Sequence, residues 1–355
     1  MSRLIQADSD DNTRLPVIEV DLEATDNSSS YGQELSGVFP VKLLDGLLTT
    51  TRSAYSTSLS SSALEYRYEN GRRYHGYRDG KYLGPNDEQE SDRLDMLHEM
   101  LLVMMNRKLF LAPIESSPGR VLDLGAGTGI WVMDFADNYP SAEVIGMDLS
   151  PTQPQFVPPN AKFLVDDFED DWIYQDQFDF IHGRYLAGAV KDWRRLMTQA
   201  YKYTKPGGWV EFQDWNVNVY SEDDSIKGTS VEKYYSVVCG SFTKAGFIIS
   251  PGPHLGEWLQ EAGFEEVHVQ KYRAPVGGWP KDKYYKTIGV WNLLQAETGF
   301  EAGAMAVLTR FAGWSKEEVN VLVSGARKDV RDPKVHTLAD FYVVYGRKPK
   351  RPTEA

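Results

Sequence analysis

The chain has 355 residues, of which 41% are hydrophobic, and a formal net charge of −13. This length fits one large α/β domain with additions, or two domains, and no apolar run approaches the roughly 18 residues of a membrane-spanning helix. The acidic balance argues against a broad nucleic-acid-binding surface. The single cysteine permits no internal disulfide, and the histidines form no ligand-spaced cluster, so we expect no metal site.

The N-terminal region is polar and shows little periodicity. Residues 1 to 35 are rich in Asp, Ser and Asn, which predicts a disordered arm or one that becomes ordered on a partner protein. An acidic, polar N-terminus argues against a secretory signal and favours a cytoplasmic protein. Residues 49–62 are rich in Ser and Thr, as is typical of a flexible linker.

Residues 64–83 contain five tyrosines, and Asn70-Gly71 lies between the two tyrosine-rich arms. This pattern predicts a β-hairpin closed by a type I′ turn. Its aromatic side chains either pack on the domain surface or help to cover a cofactor, and both roles stay open.

A helix is expected after this hairpin. Asn86, followed three residues later by Gln89, has the spacing of a helix cap. Apolar side chains then recur at helical spacing, which predicts a helix lying against the sheet. These side chains are Leu94, Leu97, Leu101 and Met105.

Residues 121–149 carry the strongest functional signal in the chain. A short apolar run at 121–124 predicts a buried parallel strand, and glycines follow it at alternate positions, Gly125, Gly127 and Gly129. Glycine allows a sharp turn and lets a ligand approach the main-chain amides at the start of the next helix. Asp148 closes the second strand, near the distance at which nucleotide-binding α/β units place a carboxylate on the ribose.

The acid two residues before the first glycine, Asp123, indicates which nucleotide binds here. A dinucleotide fingerprint has a third glycine where this chain has Ile130, and an acid beside a pyrophosphate would repel it. S-adenosylmethionine (SAM) has no phosphate and carries an ammonium and a sulfonium, so Asp123 suits it. The pattern resembles motif I of the class I SAM-dependent methyltransferases, with Thr128 and Leu149 as further candidate contacts.

The adenine end of the cofactor is expected at the next strand. Residues 161–165 predict a strand that ends at Asp166 and Asp167. One of these two acids would bind the adenine amino group, and Phe168 would stack on the ring. The acidic residues that follow also fit a solvated loop.

The fourth strand, predicted at 178–181, leads into His182, Gly183 and Arg184. The carboxyl edge of a parallel sheet faces the ligand, so His182 is a candidate catalytic base that accepts a proton from a phenol or similar hydroxyl. Three alternatives stay open. His182 is a structural residue, or it binds the acceptor without moving a proton, or the acceptor needs no base.

The C-terminal half predicts the rest of a seven-stranded sheet and a long helical insertion. The insertion, residues 278–331, lies between the last two strands, which a methyltransferase without additions joins by a tight hairpin. It would supply aromatic walls to an acceptor pocket, or an oligomerisation surface. The basic tail at Lys348, Lys350 and Arg351 is either a nuclear-import signal or a solvated end.

Several segments together resemble the fungal LaeA-like (UMTA-type) SAM methyltransferases. The resemblance covers roughly residues 64–347 and implies an α/β, class I SAM-methyltransferase (Rossmann-like) fold with SAM as cofactor. The implied architecture has a seven-stranded sheet, an N-terminal helical and hairpin extension, and a helical insertion before the last strand. The segments are ENGRRYHGYRDGKYLGPNDEQESDRLD, VLDLGAGTGIW, GRYLAGAVKDW, KPGGWVEFQDW and FYVVYGRKP.

The resemblance also implies where the functional residues lie. It carries SAM contacts to Gly125, Gly127, Asp148 and the Asp166/Asp167 pair, and it brings Tyr74, His75 and residues 182–184 near the site. The expected regions are an arm (1–63), a hairpin and helix covering the site (64–118), the SAM-binding core (119–277), a helical cap (278–335), and the last strand with a basic tail (336–355).

Two functions compete on these grounds. The first is methyl transfer to a small, secondary-metabolite-like acceptor, with O-methylation slightly favoured. The second is regulation through a velvet-type or other protein partner, which the long acidic N-terminus keeps open. A closed aromatic pocket under the insertion would favour the first, and an open groove would favour the second.

Overall fold

The computed structural model describes residues 16–24 and 66–350. Its first strands, β1 (Arg67–Glu69) and β2 (Arg72–Tyr74), form an antiparallel hairpin. Asn70 and Gly71 connect them with φ of 54° and 88°, and a type I′ turn requires positive φ at both of these positions. The predicted hairpin is confirmed, with strands shorter than the tyrosine-rich arms.

The cap of the first helix, α1 (Glu88–Met104), lies one residue later than predicted. The Asp87 side chain accepts a hydrogen bond from the amide of the third helical residue at 3.0 Å. It also accepts one from Arg72 Nε at 2.6 Å. Asn86 instead donates to Ser150 Oγ at 3.1 Å. The predicted cap at Asn86 is wrong because the hairpin arginine favours a carboxylate at the capping position.

A seven-stranded sheet forms the centre of the described part of the chain. Its spatial order is β5-β4-β3-β6-β7-β9-β8, and β9 runs antiparallel to both of its neighbours while the other pairs are parallel. The strand order reverses between β3 and β6, which opens a crevice at their carboxyl ends. The strands are β3 (Arg120–Leu124), β4 (Glu143–Asp148), β5 (Ala161–Val165), β6 (Phe178–Arg184), β7 (Thr204–Tyr220), β8 (Glu265–Pro275) and β9 (Leu338–Arg347).

Helices cover both faces of this sheet. Residues 149–160 join β4 to β5 without a helix, because prolines there interrupt the helical backbone. The remaining helices are α2 (Ile130–Asn138), α3 (Trp193–Tyr203), α4 (Ser230–Lys244), α5 (Leu255–Glu261), α6 (Lys283–Phe311) and α7 (Lys316–Arg331).

Helices α6 and α7 form the insertion between β8 and β9. Helix α6 has 29 residues and buries side chains around much of its circumference, because α1, α4 and α7 all pack against it. A helix apolar on several faces is stable when it is surrounded in this way. The apolar cluster among these helices includes Phe300, Met305 and Val323, each at most 3% exposed. The predicted helical insertion before the last strand is confirmed.

Residues 16–24, which belong to the predicted N-terminal arm, pack against the chain itself. Ile18 is 4% exposed and lies with Trp279 and Leu338. Its amide donates to Glu222 Oε2 at 2.8 Å, and Val20 forms a β-bridge with Pro280. This segment therefore contributes to the core, contrary to the prediction of an arm that is disordered or becomes ordered on a partner protein. The rest of the predicted arm lies outside the described residues.

Across residues 16–24 and 66–350, no helix is long and apolar enough to cross a membrane. Over the same residues, no group of three or more His, Cys, Asp or Glu side chains is arranged to hold a metal ion.

Candidate functional site

The glycine-rich loop between β3 and α2 lies at the crevice and is fixed by its neighbours. Gly127 has φ of +56°, which a β-branched residue rarely adopts. Its amide donates to Asp148 Oδ2 at 2.8 Å, and its carbonyl accepts from Thr152 Oγ1 at 3.0 Å and Gln153 Nε2 at 2.7 Å. The connection after β4 therefore holds the loop in place. Gly125 and Gly127 line a cavity at this crevice, called the first cavity below. A Cβ at Gly125 would lie 2.6 Å from a methyl group of Leu186.

Asp148 lines the same cavity from the end of β4. One carboxylate oxygen accepts from the Gly127 amide and the other from the Ser150 amide, each at 2.8 Å. Burial raises the pKa of Asp148 to about 6. Each oxygen keeps a second lone pair, so the group can accept further hydrogen bonds from a ligand such as ribose hydroxyls.

Asp123 and His182 form a buried pair on adjacent strands. His182 Nδ1 lies 2.7 Å from Asp123 Oδ1, and the imidazole stacks on Trp131 with centroids 3.9 Å apart. Strand β6 continues through Arg184, so His182 is fully buried within the strand, and burial lowers its pKa. Nε2 has no hydrogen-bond partner within the described residues. Both side chains line the first cavity.

Arg184 extends this polar wall with a buried cation. Its Nη2 donates to His98 Nδ1 at 2.8 Å, and His98 Nε2 in turn donates to Asp134 Oδ2 at 3.0 Å. Its Nη1 is buried and has no hydrogen-bond partner among the described residues. Burial lowers the pKa of Arg184 to about 10, so it stays charged at neutral pH. A buried donor of this kind calls for an anionic ligand group.

The two acids after β5 occupy different environments. Asp167 is 4% exposed and lines the cavity with Phe168, whereas Asp166 is exposed and does not. Asp167 Oδ2 lies 3.2 Å from Lys81 Nζ, a residue of the segment after the hairpin. Thus Asp167 is the member of the pair that can meet a ligand.

Other predicted site residues lie behind the cavity wall. Tyr74 packs in the apolar cluster of the insertion, with Arg310 at 4.7 Å above its ring. The ring nitrogens of His75 contact the carbonyls of Tyr77 and Tyr82 at 2.7 and 2.9 Å. Neither side chain lines the cavity, nor do Asp166, Gly129 and Gly183, while Thr128 and Leu149 do.

A second cavity adjoins the first beneath the insertion. The empty volume, which includes space open to solvent, is about 1190 Å³ for the first and about 1080 Å³ for the second. The walls of the second come from α1, α4, α6, the residues after β6 and parts of β7 and β9, and they include seven aromatic residues. Four residues border both cavities: Tyr82, Glu90, Leu97 and Tyr185.

Comparison with known proteins agrees with this geometry. The family profile of a methyltransferase domain matches residues 96–269. Methyltransferase pytC of Aspergillus terreus is 43% identical over 82% of this chain and 91% of its own length. The secondary metabolism regulator LAE1 of Cochliobolus heterostrophus is 36% identical over 80% of this chain and 95% of its own length.

The chain belongs to the LaeA-like family of SAM-dependent methyltransferases. Among solved structures, Haemonchus contortus phosphoethanolamine N-methyltransferase 2 in complex with SAM has a TM-score of 0.40 and 18% identity, over 73% of this chain and 52% of that one. SAM is the cofactor of this LaeA-like enzyme.

The first cavity of the LaeA-like chain fits the chemistry of SAM. SAM carries an ammonium, a carboxylate and a polar nucleoside. The cavity offers the carboxylate of Asp123, the partly unpaired cation of Arg184, and two further acids, Asp148 and Asp167. The unpartnered Nη1 of Arg184 and Nε2 of His182 are buried polar atoms that a ligand with both charges would satisfy.

Several residues around the cofactor cavity were missed by sequence reasoning. His98 connects Arg184 to Asp134, and Asp95 accepts from Thr128 Oγ1 at 2.7 Å. Both belong to α1, whose apolar spacing suggested packing alone. Asp95 and His98 are three residues apart, which places them on the same face of the helix. This spacing could have indicated a polar face on α1.

Proposed function

We propose that this enzyme transfers the methyl group of SAM to a small aromatic acceptor, with O-methylation slightly favoured. The second cavity carries the proposal, because it adjoins the cofactor cavity and has aromatic side chains from α4 and α6 in its walls. Such walls suit a flat, apolar molecule. The similarity to methyltransferase pytC over nearly its full length supports an enzymatic role.

The residues of the first cavity would hold SAM by its separate polar groups. The loop at Gly125 and Gly127 would lie against the nucleoside, Asp148 would accept hydrogen bonds from the ribose hydroxyls, and Asp167 would accept one from the adenine amino group. Asp123 would bind the ammonium and Arg184 the carboxylate. When bound, SAM supplies a methyl group on a positively charged sulfur, which is already activated for transfer.

The chain's main catalytic task is then to position the acceptor in a site from which water is excluded. Tyr82 and Tyr185 border both cavities and would keep solvent from the junction. His182 lines the cofactor cavity and not the second one. This supports a structural role for His182, which holds Asp123, over the role of general base.

Metabolite profiling with a cavity-filling variant tests this function. A strain lacking the gene is complemented with wild type or with Ala296→Phe, and methionine with a deuterated methyl group is supplied. Ala296 is 5% exposed on the wall of the second cavity, so a phenyl ring there should block the acceptor while cofactor binding persists. The matched control is Val321→Phe on α7, where the side chain is 74% exposed.

Wild type and Val321→Phe should restore a labelled small molecule that Ala296→Phe does not restore. Full restoration by Ala296→Phe would contradict an acceptor in this cavity. If loss of the gene changes many metabolites but Ala296→Phe removes no labelled product, the alternative function would be favoured. That alternative is regulation of secondary metabolism, a role that the name of the relative LAE1 states for that protein. The chain would then act through a velvet-type or other protein partner.

Where the protein acts in the cell is part of the same proposal. A cytoplasmic small-molecule enzyme needs no import signal, whereas a regulator would need to reach the nucleus. Of the basic tail, Lys348 is bound to the fold, since its Nζ donates to the Thr204 and Tyr201 carbonyls at 2.7 Å each. An anchored lysine is less available to an import receptor, which supports the cytoplasmic assignment.

A further inference from the structure

The second cavity is nearly free of charge. Among the described residues that line it, two are charged, Glu90 and Arg93, and both are on α1. The other polar lining groups are tyrosine hydroxyls, Cys239, and the amides Asn292 and Gln295. The chemistry of a ligand in this cavity therefore depends on how these two charges are satisfied.

Glu90 and Arg93 neutralise each other. Arg93 Nε donates to Glu90 Oε2 at 2.9 Å, and Arg93 Nη2 donates to Glu90 Oε1 at 2.6 Å. The two residues are 2% and 3% exposed. This two-pronged geometry is the strongest arrangement of an arginine and a carboxylate. The pair adds no net charge to the cavity.

Arg93 also makes contacts outside its pair with Glu90. Its Nη1 donates to Gln295 Oε1 at 2.9 Å, and the guanidinium lies 5.4 Å from the centroid of the Tyr185 ring. Gln295 is held in turn by Asn292, at 2.7 Å. Arg93 is thus held on three sides, with three of its five N–H donors in hydrogen bonds to Glu90 and Gln295.

Each oxygen of Glu90 accepts one hydrogen bond from Arg93 and keeps a second lone pair. Glu90 also borders both cavities. A hydroxyl that donates to Glu90 would therefore lie where the cofactor cavity meets the aromatic one.

We propose that the second cavity selects an uncharged aromatic acceptor and that Glu90 positions its hydroxyl by accepting a hydrogen bond from it. A carboxylate or ammonium on the acceptor would be buried without an opposite charge, which is unfavourable. This proposal rests on the proposed function, since it takes the second cavity to be the acceptor site.

Three probes of the same ring size test this selectivity: 2-naphthol, 2-naphthoate and 2-naphthylmethylammonium. Binding is measured by calorimetry at neutral pH to the full chain saturated with S-adenosylhomocysteine, so no turnover is needed. The neutral naphthol should bind at least about tenfold more tightly than either ion. Equal or tighter binding of an ion, or no binding of naphthol, would overturn the proposal.

Two charge-removing variants provide an independent test. Glu90→Gln leaves the cation of Arg93, so the preference should shift toward 2-naphthoate. Arg93→Gln leaves the carboxylate of Glu90, so it should shift toward the ammonium probe. Arg195→Gln is the matched control, because Arg195 is paired with Asp171 on the surface, and its probe ranking should stay that of wild type. If Glu90→Gln and Arg93→Gln fold and keep the wild-type ranking of the probes, the proposal is contradicted.

A buried charge without its partner can prevent folding, and circular dichroism would reveal this. In that case the double variant Glu90→Gln/Arg93→Gln, which removes both charges, should fold and still prefer naphthol over both ions. Loss of that preference would count against a neutral cavity. If selectivity holds while the metabolite experiment finds no methylated product, the proposed function fails and the selectivity of the cavity stands. If a product is found without this selectivity, only the present inference fails.

Discussion

Replacing Arg184 by glutamine should weaken the binding of SAM, because it removes the cation proposed to hold the carboxylate of the cofactor. Arg184 is charged and buried, it has a free donor at Nη1, and no described carboxylate lies within ion-pair distance of it. A hydrogen bond to a charged partner contributes about 1.5–3 kcal/mol. Loss of such a bond to the SAM carboxylate should therefore raise the dissociation constant roughly 10–150-fold.

Two ligands separate this role from general damage to the site. S-adenosylhomocysteine contains the amino acid end, whereas 5′-methylthioadenosine shares the nucleoside and the sulfur but has no carboxylate. Calorimetry with both should show the loss of affinity in Arg184→Gln for S-adenosylhomocysteine alone. The surface variant Arg195→Gln should leave both affinities unchanged. An equal loss for the two ligands would show that Arg184 shapes the cavity and does not hold the carboxylate.

Four further changes test other parts of the molecule. Asp148→Asn should weaken S-adenosylhomocysteine binding by about 1.5–3 kcal/mol. The wild-type affinity should decrease as the pH falls through about 6 and Asp148 takes up a proton, and Asp148→Asn should abolish this decrease. Ile18→Ala should lower the free energy of unfolding by about 2 kcal/mol in urea titrations, whereas Val17→Ala, at a side chain 74% exposed, should change it by less than about 0.5 kcal/mol. Burial raises the pKa of Glu211 to about 7. The folded state therefore keeps a proton that the unfolded chain releases, and stability should fall as the pH rises from about 5 to 7, by up to about 1.4 kcal/mol per pH unit. Glu211→Gln should reduce that slope, and an unchanged slope would assign it to other groups. His182→Gln should lower S-adenosylhomocysteine affinity roughly threefold to tenfold through loss of an oriented hydrogen bond, and an unchanged affinity would show that His182 does not organise the cofactor cavity.

The parts of the fold that follow from short-range patterns were predictable. A type I′ turn needs two residues that tolerate positive φ, and Asn70-Gly71 supplies them within four residues of sequence. The glycine-rich loop and Asp148 are separated by one helix, so their spacing is nearly fixed by the geometry of a βαβ unit. The cofactor could therefore be inferred from the chemistry of Asp123 at that loop.

Features that depend on contacts between distant segments could not be predicted in this way. The cap of α1 falls on Asp87 because Arg72 approaches it from the hairpin. Ile18 is part of the core because it packs against Trp279 and Leu338. The polar composition of the predicted arm could not indicate this contact. Whether Asp166 or Asp167 faces the cavity depends on how the chain turns after β5, and alternation along a strand does not extend past its end.

The topology explains why the proposed acceptor site was less predictable than the cofactor site. Strand β9 is antiparallel to both β7 and β8, so β8 runs parallel to β7 and ends at the carboxyl edge where the cofactor cavity lies. A segment inserted after β8 must therefore leave the sheet beside that cavity, whatever its sequence. Helix α6 encloses the second cavity for this reason, while β3 and β4 are unaffected. Insertions at this point can change the second cavity without changing the residues that line the first, so motifs in the core strands carry information about the cofactor and almost none about the proposed acceptor.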